Sequence, residues 1–295
     1  MFDATLPSEA PAGAAATPPG RVTVRGAARL SWKAQGGATH LDDLYNTDPL
    51  RFLFPRTARG EPETAVLVTT SGGLVGGDRL DISVTAGAGS RGLAMTQAAE
   101  KVYGSAGPTT EITAAFTADE NAWLEWLPHE TILFDGARLT RRTRLNLAPG
   151  AQAIAGEILV FGRVACGETI RAGAVRETWE VRRDDRLVWA DTFHVNGDWP
   201  AVMEARAGLD GKRAMATVVC AGEDPDAIRA AAQAALGDHE TPALRAGATV
   251  ISDLVIVRIL ADQPEDLRAA LTDVWGALRT SMSDFSRALP RLWHM

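Results

Sequence analysis

TTSGGLVGGDRLDISVTA, residues 69–86, changes character at its midpoint. In the second half Leu80, Ile82 and Val84 alternate with Asp81, Ser83 and Thr85, the period of two that marks a strand with one buried face. The first half carries four glycines and ends on Asp78. Gly72 and Gly77 enclose four residues, the spacing of a phosphate-binding loop, G-x-x-x-x-G-K-[ST]. Asp78 stands where that loop needs Lys, and a carboxylate repels phosphate. The glycines therefore predict a tight turn with positive φ where needed, one that lets Asp78 face the interior.

The same alternation runs from residue 21 to about residue 220. In ARLTRRTRLNL (137–147), Arg138, Thr140, Arg142, Arg144 and Asn146 form a wholly polar face, expected to meet water or an acidic partner surface. Turn signals such as AGAGSRG, APGA and RRDDR recur at the short intervals of a strand-rich fold. Convincing helices come late. Asp224 as N-cap, Pro225, apolar Ile228, Ala231, Ala232, Ala235 and Leu236, then Gly237 beyond the end, describe one helix. A second begins near Pro264, with Leu267, Ala270, Leu271, Val274, Trp275 and Leu278 as a stripe that packs on a sheet. Between them ATVISDLVIVRIL (248–260) reads as a strand. The expected fold is mainly β: a strand-rich single domain over 21–295 with two helices in the C-terminal half.

The chain has 295 residues, 46% hydrophobic and 23% charged, with formal net charge −7. That balance describes a globular protein and argues against nucleic-acid or anionic-membrane partners, which need a basic field. Residues 1–20 lack the basic and apolar regions of a signal peptide and read as a flexible Ala/Pro arm. With no apolar run near the ~18 residues of a membrane span, a cytoplasmic location is expected. Cys166 and Cys220, the only cysteines, provide neither a disulfide framework nor a Cys-rich zinc site.

GAGSRG (87–92) matches G-x-G-x-x-G through Gly87, Gly89 and Gly92, which admits a dinucleotide-binding oxidoreductase. The following segment is short and leads into another alternating stretch, so a hairpin loop is favoured. No H-E-x-x-H, C-x-x-C or G-x-S-x-G occurs. No catalytic residue and no tightly bound cofactor are expected.

Carboxylates on apolar strand faces are more informative. Asp191 shares a face with Leu187, Trp189, Phe193 and Val195, and Glu157 with Ala153, Ala155, Leu159 and Phe161. Both should point inward. Such groups need a cation, hydrogen bonds or a wet cavity. One alternative is an internal ion pair, for example with Arg163 or Arg171. The other is a wet interior through which a divalent cation passes, since carboxylate oxygens bind divalent metals without the retention thiolates produce.

SGGLVGGDRL (71–80), TQAAEKVY (96–103), LEWLPHETILFDGA (124–137), GRVACGE (162–168) and LPRLW (289–293) together resemble, in order, the UreD (UreH) family of urease accessory proteins. The resemblance spans roughly residues 21–295. It implies a non-enzymatic maturation factor that binds the urease apoprotein and UreF, and through UreF recruits the nickel-carrying GTPase UreG. It also implies an acidic, water-filled tunnel that carries nickel transiently, with its acids falling on Asp78, Glu157 and Asp191. Glu100 falls where the resemblance implies a small polar residue such as Ser, which makes the tunnel more acidic or locally rearranged. A purely structural adaptor with ion-paired acids is the alternative.

Overall fold

The computed structural model describes residues 23–295; the Ala/Pro-rich stretch 1–20 lies outside the described residues. Along the chain run β1 (Arg25–Gln35), β2 (Ala38–Asn46), β3 (Leu50–Leu53), β4 (Glu63–Thr69), β5 (Arg79–Ala86), β6 (Arg91–Thr96), β7 (Glu100–Val102), β8 (Thr110–Ala118) and β9 (Trp123–Leu127). Then follow β10 (Thr131–Leu133), β11 (Arg138–Leu147), β12 (Gln152–Phe161), β13 (Ala174–Arg183), β14 (Arg186–Asn196), α1 (Trp199–Glu204), β15 (Ala214–Ala221), α2 (Pro225–Gly237), β16 (Leu244–Ile251), β17 (Leu254–Ala261) and α3 (Pro264–Met282). The protein is mainly β, as its alternation predicts.

Two sheets face each other. The first has the order β14-β13-β11-β8-β5-β1-β2, the second β16-β17-β15-β12-β9-β6-β4-β3, with β10 and β7 alongside β12. From β4 to β13 the chain passes repeatedly from one sheet to the other, so returning strands lie parallel: β5 to β8, β8 to β11, and β6 to β9 to β12. Parallel neighbours need a long crossover, and here a strand of the opposite sheet supplies it. The turns between sheets stack through backbone bonds, Asp119 N to Ala86 O, Ala148 N to Ala118 O and Gln152 N to Ala122 O, each 2.9 Å.

This winding corrects the reading of residues 87–92 as a hairpin. They cross from β5 in the first sheet to β6 in the second. A strand rather than a helix follows, so the segment lacks the helix N-terminus a dinucleotide fingerprint requires. Gly92 is there for packing: a Cβ at that position would lie 2.2 Å from the Trp32 ring.

Other expectations also shift. Residues 248–260, read as one strand, form the β16–β17 hairpin, because Ser252 and Asp253 both take positive φ (49° and 64°), the conformation of a two-residue type I′ turn. RRDDR is a hairpin turn of the same kind, with Asp184 and Asp185 at positive φ. Leu187 does not share the inward face of Trp189; it is 52% exposed. The register shifts between Val181 and Arg182, and the extra residue turns Leu187 outward, as a bulge does.

Both expected helices form. Asp224 caps α2 by accepting from Ala227 N at 3.0 Å, and Gly237 is its last residue rather than the one beyond. The whole predicted stripe of α3 is buried against the outer face of the second sheet. A third, short helix α1 was not foreshadowed; Asp198 caps it, and its buried Trp199 packs against Phe161 and Phe193. Among the described residues no helix is long and apolar enough to cross a membrane.

Candidate functional site

Between the two sheets lies an apolar core containing Trp32, Phe116, Phe161 and Trp179. Strand parity puts a line of polar side chains on the same inner faces. Glu157 alternates with core residues Ala155 and Leu159, Arg141 with Leu139, Glu177 with Val175 and Trp179, and Thr217 with Met215 and Val219. These groups form one seam running from Asp78 to Asp191.

Asp78 lies at one end, at the foot of β5. Both its oxygens are held by backbone: Oδ1 accepts from Val24 N and Oδ2 from Val75 N, each at 2.8 Å. The glycines make this possible, since a Cβ on Gly76 would lie 2.1 Å from Pro108 O, and Gly77 has φ 98°. Tyr103 fixes the loop by donating to Gly72 O at 2.9 Å. Glu100 is the neighbour along the seam. Burial raises its carboxyl pKa, hydrogen bonds from Thr69 and the Lys101 backbone oppose that, and the Asp78 charge adds to the rise. A cavity of about 190 Å³ borders it, lined by Thr69, Gly72, Gln97 and Lys101 among others.

Glu100 pairs in register with Thr131 of β10, and Thr131 Oγ1 accepts from Arg141 Nη1 at 2.8 Å. Arg141 is the centre of the seam. It reaches from the first sheet to Glu157 Oε2 of the second at 2.8 Å and to Glu177 Oε2 of its own sheet at 2.6 Å. Burial works against the guanidinium charge, and the two carboxylates more than offset it, so its pKa rises. One guanidinium does not serve both acids equally. Burial pushes the Glu157 carboxyl up to about 7, Arg141 pulls it down, and Glu177 adds repulsion.

This has a consequence for stability. The folded chain holds the Glu157 proton more tightly than the unfolded chain, so between the ordinary carboxylate value and about 7 the folded state binds more protons. Stability from this group is therefore fully present at low pH and is lost as pH rises through that window. In urea denaturation, the stability of the wild type relative to Glu157→Gln should fall by on the order of 3 kcal/mol between about pH 5 and about pH 8. A gap that stays constant or widens with pH contradicts this.

From Glu157 the seam continues across the second sheet, where Glu157, Thr217 and Arg258 are in register on β12, β15 and β17. Arg258 closes the line by bonding Asp191 of the first sheet. Asp191 is half-buried on the inner face, at the last strand of its sheet. Asp78, Glu100, Glu157 and Asp191 thus lie along one seam. They are strung out, and among the described residues no three or more His, Cys, Asp or Glu converge to hold a metal ion.

The cations are not those anticipated. Arg163 pairs with Glu168, and Arg171 joins no ion pair to these acids; Arg141 and Arg258 take the places considered for them. Arg141 and Glu177 went unrecognised in the sequence, although parity alone finds them: each falls among apolar residues on an alternating strand. The opposite face of β11 behaves as read, with Arg142 and Arg144 exposed.

A second buried charge cluster lies on the other side of the second sheet, beneath α3. Arg279 bonds Glu125 and Glu61, and Trp123 and Trp275 donate to Glu125. Its contacts join α3 to the sheet and to the C-terminal segment.

Residues 24–294 match the family model described as UreD urease accessory protein. Curated relatives named "Urease accessory protein UreD" align over nearly their whole length. The Magnetococcus marinus protein is 42% identical, covering 92% of this chain and 94% of its own. The Methylobacterium sp. protein is 41% identical over 88% and 90%, and that of Rhizobium rhizogenes 36% identical over 96% and 98%. Matches of this identity and extent, over a strand-rich body with the ordered motifs in place, show that the chain belongs to the UreD family of urease accessory proteins.

Proposed function

We propose that this chain acts without catalysis of its own, as a scaffold that binds the urease apoprotein and UreF and, through UreF, recruits UreG. Nickel bound for the urease active site passes transiently along the interior seam from Asp78, past Glu100 and Glu157, to Asp191. The observation that carries this reading is the alignment of those acids on inner strand faces, with Thr131, Arg141, Thr217 and Arg258 standing between them in order as bonded or in-register neighbours. Oxygen donors that are spaced apart and already hydrogen-bonded suit a divalent ion in transit better than one at rest. The assembly takes place in the cytoplasm, with neither membrane nor nucleic acid as a partner.

A second reading draws on the same bonds. Glu157 and Asp191 are each paired with an arginine, and Asp78 is satisfied by backbone amides, as in a purely structural adaptor. The variant Glu157→Gln/Asp191→Asn separates the two. It keeps the side-chain shapes and the Arg141–Glu177 pair, so the chain should fold and capture UreF normally. Urease matured with it should be depleted of nickel. Normally loaded urease would leave only the adaptor.

A further inference from the structure

Two carboxylates and one guanidinium meet at the middle of the seam, and the way each carboxylate is held gives the guanidinium a specific task. Glu157 Oε2 lies 2.8 Å from Arg141 Nη1, and Glu177 Oε2 lies 2.6 Å from Nη2. The other oxygen of each acid has its own support. Glu157 Oε1 accepts from Trp126 Nε1 and Thr143 Oγ1, both at 3.4 Å, and Glu177 Oε1 accepts from Trp179 Nε1 at 3.3 Å. Arg141 is 4% exposed, and its acids are similarly buried. Both carboxylates are therefore aimed at one point by groups other than Arg141, from strands of opposite sheets.

We propose that Arg141 is the residue that keeps the seam from trapping a divalent cation: its guanidinium stands between Glu157 and Glu177 where a metal ion would otherwise be held. With both acids ionised, the trio carries a net charge of −1. Without Arg141, burial and the neighbouring acid keep a proton on Glu157; a divalent ion displaces that proton, and its two charges are then balanced by the two carboxylates that face it. The hydroxyl of Thr131, released by the same change, adds an oxygen donor beside them. Carboxylate and hydroxyl oxygens are acceptable ligands for a first-row divalent ion. A guanidinium, unlike water, occupies the site with a permanent charge and a fixed planar fork. An ion moving along the seam thus meets acids whose charge is already partly spent, and is not retained. This assignment rests on the passage reading above and adds Arg141 and Glu177 to it.

The test uses the purified full chain and Ni²⁺ alone, with no urease present, so its failure is distinct from failure of the passage itself. Arg141→Ala should bind one Ni²⁺ per chain about tenfold or more tightly than the wild type by calorimetric titration. Arg141→Ala/Glu177→Gln, which removes one of the two acids, should lose that gain. If Arg141→Ala folds only with metal, recovery of its folded circular dichroism on adding Ni²⁺, but not in the double variant, is the same result. Binding no tighter than the wild type overturns the assignment. So does a gain that survives Glu177→Gln, or a chain that stays unfolded at every nickel concentration.

Discussion

Replacing Arg279 with methionine should cost about 3–5 kcal/mol of stability, the penalty expected when a buried ion pair loses one partner. Arg279 is 1% exposed and Glu125 is 0%. All three guanidinium nitrogens are engaged: Nε with Glu125 Oε1 at 3.1 Å, Nη2 with Glu61 Oε2 at 2.6 Å, and Nη1 with the carbonyls of Ser286 and Ala288 at 2.7 and 3.0 Å. Methionine fills much of the same volume, so the loss comes from charge and hydrogen bonding rather than from a cavity. Glu125 is left inside with the two indole donors, Trp123 Nε1 and Trp275 Nε1, at 2.9 and 2.7 Å. Burial already raises its pKa against the pull of Arg279, and losing Arg279 removes that pull. The companion variant Arg279→Met/Glu125→Leu removes the two fully buried charges and leaves only Glu61, whose side chain is 23% exposed, so it should recover a large part of the loss. Urea denaturation of the two single variants and the double variant gives the coupling directly. A single variant that loses less than about 1 kcal/mol would place this cluster among ion pairs of little worth.

What could be read from the sequence divides along a physical line. Period-two alternation states which side of a strand is buried, and it did so for Leu80, Ile82 and Val84; in β12, buried on both faces, it placed Glu157 with Ala153, Ala155, Leu159 and Phe161 on the face between the sheets. Caps and stripes likewise located both long helices, because N-caps and i, i+3, i+4 contacts are local. Alternation does not state which strand lies beside which. The partition into two sheets and the parallel return of β5, β8 and β11 depend on contacts between residues far apart in the chain, so the turn at 87–92 looked like a hairpin. A bulge is equally silent: one inserted residue in β14 reverses Leu187 while every local preference stays the same. In the seam, Asp78, Glu100, Glu157 and Asp191 were visible, but Arg141, Arg258 and the third member of the central trio, Glu177, were not. Arg141 sits in an arginine-rich strand whose other arginines face outward, and only counting parity from Leu139 separates it from Arg138, Arg142 and Arg144.

Asp78→Ala should lower stability by about 3 kcal/mol or more, since each backbone amide bonded to a charged acceptor contributes roughly 1.5–3 kcal/mol. Three stretches of chain meet at Asp78, and its carboxylate ties two of them beside backbone bonds such as Arg79 N to Val24 O at 2.9 Å and Gly77 N to Thr109 O at 3.1 Å. Oδ1 holds Val24 at the entry to β1, Oδ2 holds Val75 in the glycine loop, and the residue's own carbonyl accepts from Glu111 N at 2.9 Å beside β8. Alanine leaves the Val24 and Val75 amides without that acceptor. Asparagine keeps one carbonyl oxygen for one of the two amides but turns an NH₂ toward the other, so its loss should be about half that of alanine. Amide hydrogen exchange at Val24 and Val75 reads the effect locally: both should lose protection in Asp78→Ala, and one of the two in Asp78→Asn. The same pair of variants separates the turn from the passage. Asp78→Asn removes the negative charge that Glu100 feels while sparing much of the loop. If urease maturation follows stability through the series wild type, Asn and Ala, Asp78 acts by holding the loop. If Asp78→Asn remains folded and bound to UreF yet delivers little nickel, the charge itself is required at the mouth of the seam.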